Sequence, residues 1–369
     1  MKTANQLPKG SVVFLTSTRA ESRMICHLIS LFPVAPVDKA ILITGSHLET
    51  EFGVTSADIS VPENVKIFNL YSDFIAPMPL AKKVATAISL FEDFFHTRWF
   101  DYIVIVGDRF EAMAASIAAF SNGIKVIHFH GGETTLGSQD DYFRDVITRF
   151  SSVHFVSTET HRERVKNIVS SESVYVVGAI GTSEFKVLRD TVGADELLSD
   201  KTNEIIFCFH TSEVESISVD TLVQFLGLLL DRFDDHEVTI LGGNIDGDGK
   251  YLNDRLRSLA AVNSNARFTE SLSRRDYLRL LARSKVLIGN SSSGIYEAPY
   301  VLTTFLHLGR RQVGREHSEL NTIWIEDITN ANKVLSLLEH VISDPEFSID
   351  KNFGLFDFSG DRIKSLFED

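Results

Sequence analysis

Short runs of β-branched and other apolar residues alternate with stretches of helical periodicity through both halves of the chain. Ser11–Thr16, Ala40–Thr44, Tyr102–Val106 and Lys125–Phe129 each read as a short strand buried on both faces, the kind a parallel sheet needs. The Ala-rich stretch Glu111–Phe120 reads as the crossover helix of a βαβ unit. In the second half Glu204–Phe209, Glu237–Leu241, Lys285–Ile288, Thr303–Leu308 and Thr322–Ile325 read as strands. Val219–Phe233, Lys250–Val262, Arg274–Ser284 and Ala331–Ile342 read as helices, and a polar, strand-poor stretch from about Lys186 to Asn203 reads as the linker. The periodicity predicts an α/β chain of two doubly wound domains, with the carboxyl ends of both sheets turned toward one cleft, where such sheets bind ligands.

Composition narrows the partners. The 369 residues suit two domains, and 44% hydrophobic with 23% charged residues is the balance of a folded soluble protein. Lys plus Arg number 36 against 50 for Asp plus Glu, a formal net charge of −14. A nucleic-acid binder needs a cationic surface to release counterions, so nucleic acid is not an expected partner; a small phosphate ligand in a local pocket is compatible with the charge. Cys26 and Cys208 lie in apolar segments and read as buried free thiols. No stretch approaches the roughly 18 uninterrupted apolar residues of a membrane span, and Met1–Gly10 lacks the apolar run of a signal peptide. The expectation is a cytoplasmic protein with no membrane partner.

Candidate chemistry gathers where strands end. Ser17–Arg23 follows a strand and opens a helix, where backbone N–H groups and the planar fork of Arg19 suit a phosphate; a simple helix cap is the alternative. At Gly107–Glu111, Asp108 with Glu111 three residues on has capping-box spacing, which leaves only its place at a strand tip to argue for catalysis. In His128–Glu133, alternation puts His128 and His130 on one face, and Gly131 and Gly132 allow close approach to a ligand. His130, Glu133, Asp140 and Asp141 then crowd one loop, as acid–base pairs require. An H-x-H with a carboxylate can also hold a metal, but no third His or Cys stands at ligand spacing, so no metal is expected. Gly242–Gly249 resembles a calcium loop until its twelfth position, counted from Asn244, proves to be Arg255 rather than Glu; a turn carrying Asn244 and Asp246 remains. Gly289–Glu297 offers Ser291, Ser292, Ser293 and Gly294 at a helix start as a diphosphate cradle, with Glu297 a turn later able to accept both hydroxyls of a ribose. It lacks the Gly-Lys-Ser/Thr ending of a P-loop. Arg311 and Arg315 follow as cations.

Taken in order, Thr44–Leu48 with Glu51–Gly53, Gly107–Glu111, His130–Glu133, Phe155–Thr158, Gly289–Gly294 and Arg311–Arg315 resemble the hydrolysing UDP-N-acetylglucosamine 2-epimerases of sialic-acid biosynthesis. The resemblance implies a glycosyltransferase-B-like fold: two Rossmann-like domains facing a cleft, residues 1–185 with a C-terminal helix at about 355–369, and a UDP-binding domain at 200–350. It further implies elimination of UDP with loss of the C2 proton, then hydration to release N-acetylmannosamine, with no cofactor and as a homodimer or homotetramer. By matching position, Asp108, Glu133, Asp140, His130 and His210 become the candidates for proton transfer or sugar positioning. Arg19, Asn244, Asp246, Ser291, Ser292, Ser293, Gly294, Glu297 and Arg311 become the candidates for UDP-sugar binding. The chain departs from the family pattern at His130, where some relatives carry a catalytic Glu, at Arg144-Asp145, where the family has Arg-His, and at His210-Thr211, Leu302–Thr304 and His307. The alternatives are a UDP-N,N'-diacetylbacillosamine substrate, a transferase of the same architecture, and a UDP-sugar-binding homologue without turnover.

Overall fold

The structure is a computed structural model that describes residues 10–32, 38–48, 59, 61–70, 78–136, 138–212, 215, 217–243, 248–344, 347 and 349–365; of Arg19, Ala20 and Ser46 it describes the backbone alone. The chain divides into two compact units. Unit 1 comprises Met1–Glu133, Gln139–Ile180 and Phe356–Asp369, and unit 2 comprises Thr134–Ser138 and Gly181–Leu355.

Among the described residues unit 1 holds seven parallel strands: β1 (Val12–Thr16), β2 (Lys39–Ile43), β3 (Lys66–Asn69), β4 (Tyr102–Val106), β5 (Lys125–Phe129), β6 (Ser151–Val156) and β7 (Val174–Val176). Their order is β3-β2-β1-β4-β5-β6-β7. Alternation along β1 shows why the sheet is covered on both faces. Val13 and Leu15 enter one core with Phe91 and Phe95 of the helix Leu80–Thr97. Val12 and Phe14 enter another with Ile25 and Leu28 of the helix Arg19–Leu31. Each such side chain contributes about 1.5–3 kcal/mol by leaving water.

Among its described residues unit 2 holds six parallel strands: β8 (Glu204–Cys208), β9 (Glu237–Leu241), β10 (Ala266–Thr269), β11 (Val286–Gly289), β12 (Thr304–Leu308) and β13 (Thr322–Ile325), in the order β10-β9-β8-β11-β12-β13. Ile205 and Phe207 of β8 pack on Phe225, Leu226 and Leu229 of the helix Val219–Arg232 and on Leu338 of the helix Ala331–Ser343. Both sheets are therefore doubly wound, and strand order reverses between β1 and β4 and between β8 and β11. Ligands of open α/β sheets bind at the carboxyl ends beside such a reversal.

Every strand and helix predicted from the pattern is present, with ends shifted by a residue or two at most. The strands the pattern does not reveal are β3, β6, β7 and β10. Strands β3, β7 and β10 are edges, and β3 is mostly exposed, so no continuous apolar run marks it; in β6 the apolar residues are interrupted by Ser151, Ser152 and His154. The expected linker is corrected: Ser183–Val192 and Ala194–Ser199 are helices within unit 2, and the chain crosses between units at Ile180/Gly181. Phe185 and Leu197 are buried there, which gives those helices an apolar face that a linker lacks. At the C-terminus, Gly360–Lys364 is helical, Phe356 and Ile363 are fully buried, and Ser359 N donates to Val177 O at 2.8 Å.

Candidate active site

In unit 1 the tips of β4 and β5 are tied together through Arg144, on the helix Gln139–Phe150. The guanidinium is 2% exposed. Its Nη2 donates to Asp108 Oδ2, and its Nη1 donates to Asp141 Oδ1 at 2.5 Å and to the Glu133 carbonyl at 2.6 Å. The capping-box expectation for Asp108 fails. The helix Phe110–Ser121 has Arg109 at its cap without a side-chain bond, and Glu111 instead takes a bidentate pair from Arg109 at 3.0 and 3.1 Å. Asp108 is thus held for something other than starting a helix. Asp140 is exposed in the first turn, and the structure brings its neighbour Asp141 into the cluster. The Asp141-x-x-Arg144 spacing, one helical turn, was the available signal.

The two histidines of the H-x-H do not share a face toward a ligand. Strand β5 ends at Phe129, and His130 turns into the left-handed region at φ 65°. His128 is fully buried; its Nε2 lies 2.9 Å from the Gly107 carbonyl and its Nδ1 3.2 Å from Thr148 Oγ1. Since a carbonyl only accepts, Nε2 carries the proton, and burial first of all pushes the His128 pKa down to about 3. His128 shapes the turn before Asp108. His130 belongs to a separate trio, with Nδ1 2.7 Å from Glu133 Oε1 and 3.2 Å from Ser157 Oγ, while Ser157 Oγ donates to Glu133 Oε1 at 2.8 Å. Bonded to a carboxylate, which only accepts, Nδ1 carries a proton. The strained backbone at His130 costs on the order of 1–3 kcal/mol, which functional sites commonly carry. Ser157, at the end of β6, is a further member that sequence reading did not assign.

The first candidate loop forms a polar cluster of its own. Glu21 Oε2 accepts from Ser17 N and Ser17 Oγ, both at 2.9 Å. Burial raises its pKa to about 7 against the opposing pull of Arg109. His47, buried, bonds Thr16 Oγ1 at 2.9 Å, and burial lowers its pKa to about 4. The side chain of Arg19 lies outside the described residues, as do Asn244 and Asp246 altogether.

In unit 2 the carboxyl ends of β8 and β11 are joined by a side chain. Asn290 Oδ1 accepts from His210 N at 2.7 Å and its Nδ2 donates to His210 O at 2.8 Å, continuing the ladder past both strands. The Asn290 carbonyl accepts from Arg311 Nη1 at 3.1 Å and Gln312 Nε2 at 2.8 Å, which brings Arg311 to the same edge. Burial, and then the charge of Arg311, push the His210 pKa down to about 3, so its imidazole is neutral. Gly289, at φ 138°, would set a Cβ 1.8 Å from the Cys208 carbonyl, so only glycine lets these strand ends approach.

The serine-rich turn is partly occupied. The helix Ser293–Tyr296 is four residues long, and Gly294 N and Ile295 N donate to Ser291 O and Ser292 O. Ser293 Oγ donates to Glu297 Oε2 at 2.5 Å, so it is not an uncommitted cradle hydroxyl. Glu297 Oε1 accepts from Arg274 Nη1 at 2.6 Å. Arg315 Nη1 donates to the Tyr296 hydroxyl at 2.9 Å.

Among the described residues no cluster of three or more His, Cys, Asp and Glu side chains is placed to hold a metal ion, and no helix is long and apolar enough to cross a membrane. Cys208 is buried and Cys26 only half-buried.

A family model described as UDP-N-acetylglucosamine 2-epimerase matches residues 34–352. Among curated proteins, the GDP/UDP-N,N'-diacetylbacillosamine 2-epimerase (hydrolyzing) of Campylobacter jejuni is 30% identical over 323 residues, covering 84% of this chain and 83% of its own. The UDP-N,N'-diacetylbacillosamine 2-epimerase (hydrolyzing) of Legionella pneumophila is 28% identical over 359 residues, covering 93% and 92%. The crystal structure of UDP-GlcNAc 2-epimerase from Neisseria meningitidis bound to UDP-GlcNAc superposes with a TM-score of 0.75 at 17% identity, covering 96% of this chain and 99% of that one. At that identity the likeness speaks for the fold.

Proposed function

The chain belongs to the UDP-N-acetylglucosamine 2-epimerase family, and we propose that it is a hydrolysing 2-epimerase that converts a UDP-2-acetamido sugar and water into UDP and the free 2-epimer. UDP-N-acetylglucosamine, giving N-acetylmannosamine, is the first substrate to test. A base takes the C2 proton as the C1–O bond breaks; the C2–H electron pair becomes the C1=C2 bond and the C1–O pair leaves with UDP. Water then adds its oxygen at C1, and a proton returns to the opposite face of C2. Both steps are redox-neutral, so the reading includes no cofactor. It also includes a cytoplasmic homodimer or homotetramer.

The observation that carries this reading is the pairing of proton-transfer groups on adjacent strand ends: Asp108 after β4, held by buried Arg144, and the His130–Glu133 pair after β5. In this reading Asp108, Glu133, His130 and Asp140 share proton transfer and sugar positioning. His210, neutral, accepts from the substrate. Arg19, Asn244, Asp246, Ser291, Ser292, Ser293, Gly294, Glu297 and Arg311 hold the UDP-sugar, where fixed cations and dipoles stabilise the departing diphosphate.

A second substrate, UDP-N,N'-diacetylbacillosamine, is favoured by the names of both relatives above. The test is incubation with each nucleotide sugar in deuterated water, following UDP release and the C2 position by NMR. UDP together with a free 2-epimer deuterated at C2 is the expected result, and its appearance from one sugar rather than the other sets the substrate. UDP release only on addition of an acceptor would make the chain a transferase. Binding of both sugars without turnover would make it a sugar-nucleotide-binding homologue.

A further inference from the structure

The helix Arg274–Arg283 presents two side chains one turn apart to the serine-rich turn, and neither belongs to the set assigned above to the nucleotide. Arg274 is committed on every edge. Its Nη1 donates to Glu297 Oε1 at 2.6 Å, its Nε to Glu184 Oε2 at 2.7 Å and its Nη2 to the Gly181 carbonyl at 2.6 Å, while the guanidinium carbon sits 4.5 Å from the centre of the Phe185 ring. A planar fork held by three acceptors from two segments has almost no freedom to swing. Tyr277 bonds Ser293 Oγ. Because Ser293 gives its one proton to Glu297 Oε2, the tyrosine hydroxyl is the donor of that bond. The Glu297 carboxylate is therefore gripped at both oxygens, by Arg274 at one and by the Tyr277–Ser293 pair at the other, and its side chain keeps 14% exposure. A carboxylate has about four lone-pair sites. Two fixed partners leave the remaining lone pairs aimed in a set direction.

We propose that Arg274 and Tyr277 are positioning residues that orient Glu297 to accept the two ribose hydroxyls of a uridine diphosphate. The inference rests on the reading of Glu297 as a nucleotide contact. Fixing the carboxylate in advance removes the rotamer cost that binding would otherwise carry, so the gain falls on recognition of the ribose rather than of the phosphates. A cross-link serving stability alone would support both parts of the nucleotide equally.

The experiment is calorimetric titration of the full chain with UDP and with 2′-deoxy-UDP. The intact protein prefers UDP by about tenfold or more, the worth of one hydrogen bond to a charged group. Arg274→Met and Tyr277→Phe each bring that ratio toward one, Arg274→Lys restores part of it, and the KM for the nucleotide sugar rises in step. Glu297→Gln abolishes the preference. If Glu297→Gln loses the preference while Arg274→Met and Tyr277→Phe keep it, the positioning role is overturned and the reading of Glu297 stands. If the intact protein shows no preference, or Glu297→Gln retains it, the reading of Glu297 itself fails and the inference with it. Should Arg274→Met not fold, the near-isosteric Tyr277→Phe decides.

Discussion

Arg144, buried to 2% exposure, holds the carboxylate of Asp108 on one arm of its guanidinium. The other arm takes Asp141 and the Glu133 carbonyl, so a single side chain fixes the end of β4, the loop after β5 and the start of the helix Gln139–Phe150. Asp108 is a quarter exposed on this anchor. Held by that anchor and partly open to solvent, Asp108 has the placement that its proposed role in proton transfer requires.

Asp108→Asn keeps an acceptor for Arg144 and removes the charge. Turnover is expected to fall by at least about 10²-fold, the worth of a positioned proton-transfer group, with UDP affinity nearly intact. Rates of UDP release and calorimetric UDP binding check this; an equal loss of both would show that Asp108 is structural.

Arg144→Met leaves Asp108, Asp141 and the Glu133 carbonyl without their shared donor. Removing the shared donor of two partly exposed carboxylates and a carbonyl is expected to cost about 1–3 kcal/mol. Denaturant unfolding of the variant measures it, and a loss below about 1 kcal/mol would place the pair with ordinary surface bridges.

Buried histidines set an acid limit. His154 is fully buried, and burial lowers its pKa to about 4. The unfolded chain therefore binds the proton more tightly than the folded one, and the stability present above the ordinary histidine pKa is lost as pH falls through it toward about 4. His128 and His307, each lowered to about 3 by burial, act in the same direction. His154→Leu is expected to flatten the fall in unfolding midpoint between about pH 6.5 and pH 4; an unchanged slope would mean that His154 titrates normally in the fold.

Glu21 acts with the opposite sign. Its carboxyl is raised from 4.5 to about 7, so its protonated form is favoured in the fold and stability drains away as pH climbs through that window. Glu21→Gln imitates the protonated form. Its stability relative to the parent should be higher at pH 8 than at pH 5, measured by thermal unfolding at both; the reverse order would contradict a raised pKa.

The strands whose ends carry the candidate residues, β4 and β5 in unit 1 and β8 and β11 in unit 2, were legible because each is a central strand covered on both faces, which leaves a dense apolar run in the sequence. The edge strands β3, β7 and β10 were not, since most of their residues are partly or fully open to water and no period stands out; the edge strand β13 was, through its apolar Ile-Trp-Ile. Among candidate residues, Glu133 and His130 could be singled out from their crowding; Ser157 lay inside the motif Phe155–Thr158, but its bond to Glu133, made at the end of a strand the pattern did not show, could not be read. Arg274 and Tyr277 read as ordinary positions of an amphipathic helix, since nothing local distinguishes a surface arginine from one locked between Glu184, Gly181 and Glu297.

By itself the sequence determined two parallel α/β units, the strand ends where chemistry gathers and the kinship of its motifs, because hydrophobic period and motif order are properties of neighbouring residues. Only the tertiary structure decided which charges meet. Capping-box spacing assigned Asp108 to its own helix, and a residue thirty-six positions later took it instead; alternation paired His128 with His130, and a left-handed backbone at one residue parted them. A buried charge must find its partner wherever the fold brings one, and that distance is not written along the chain.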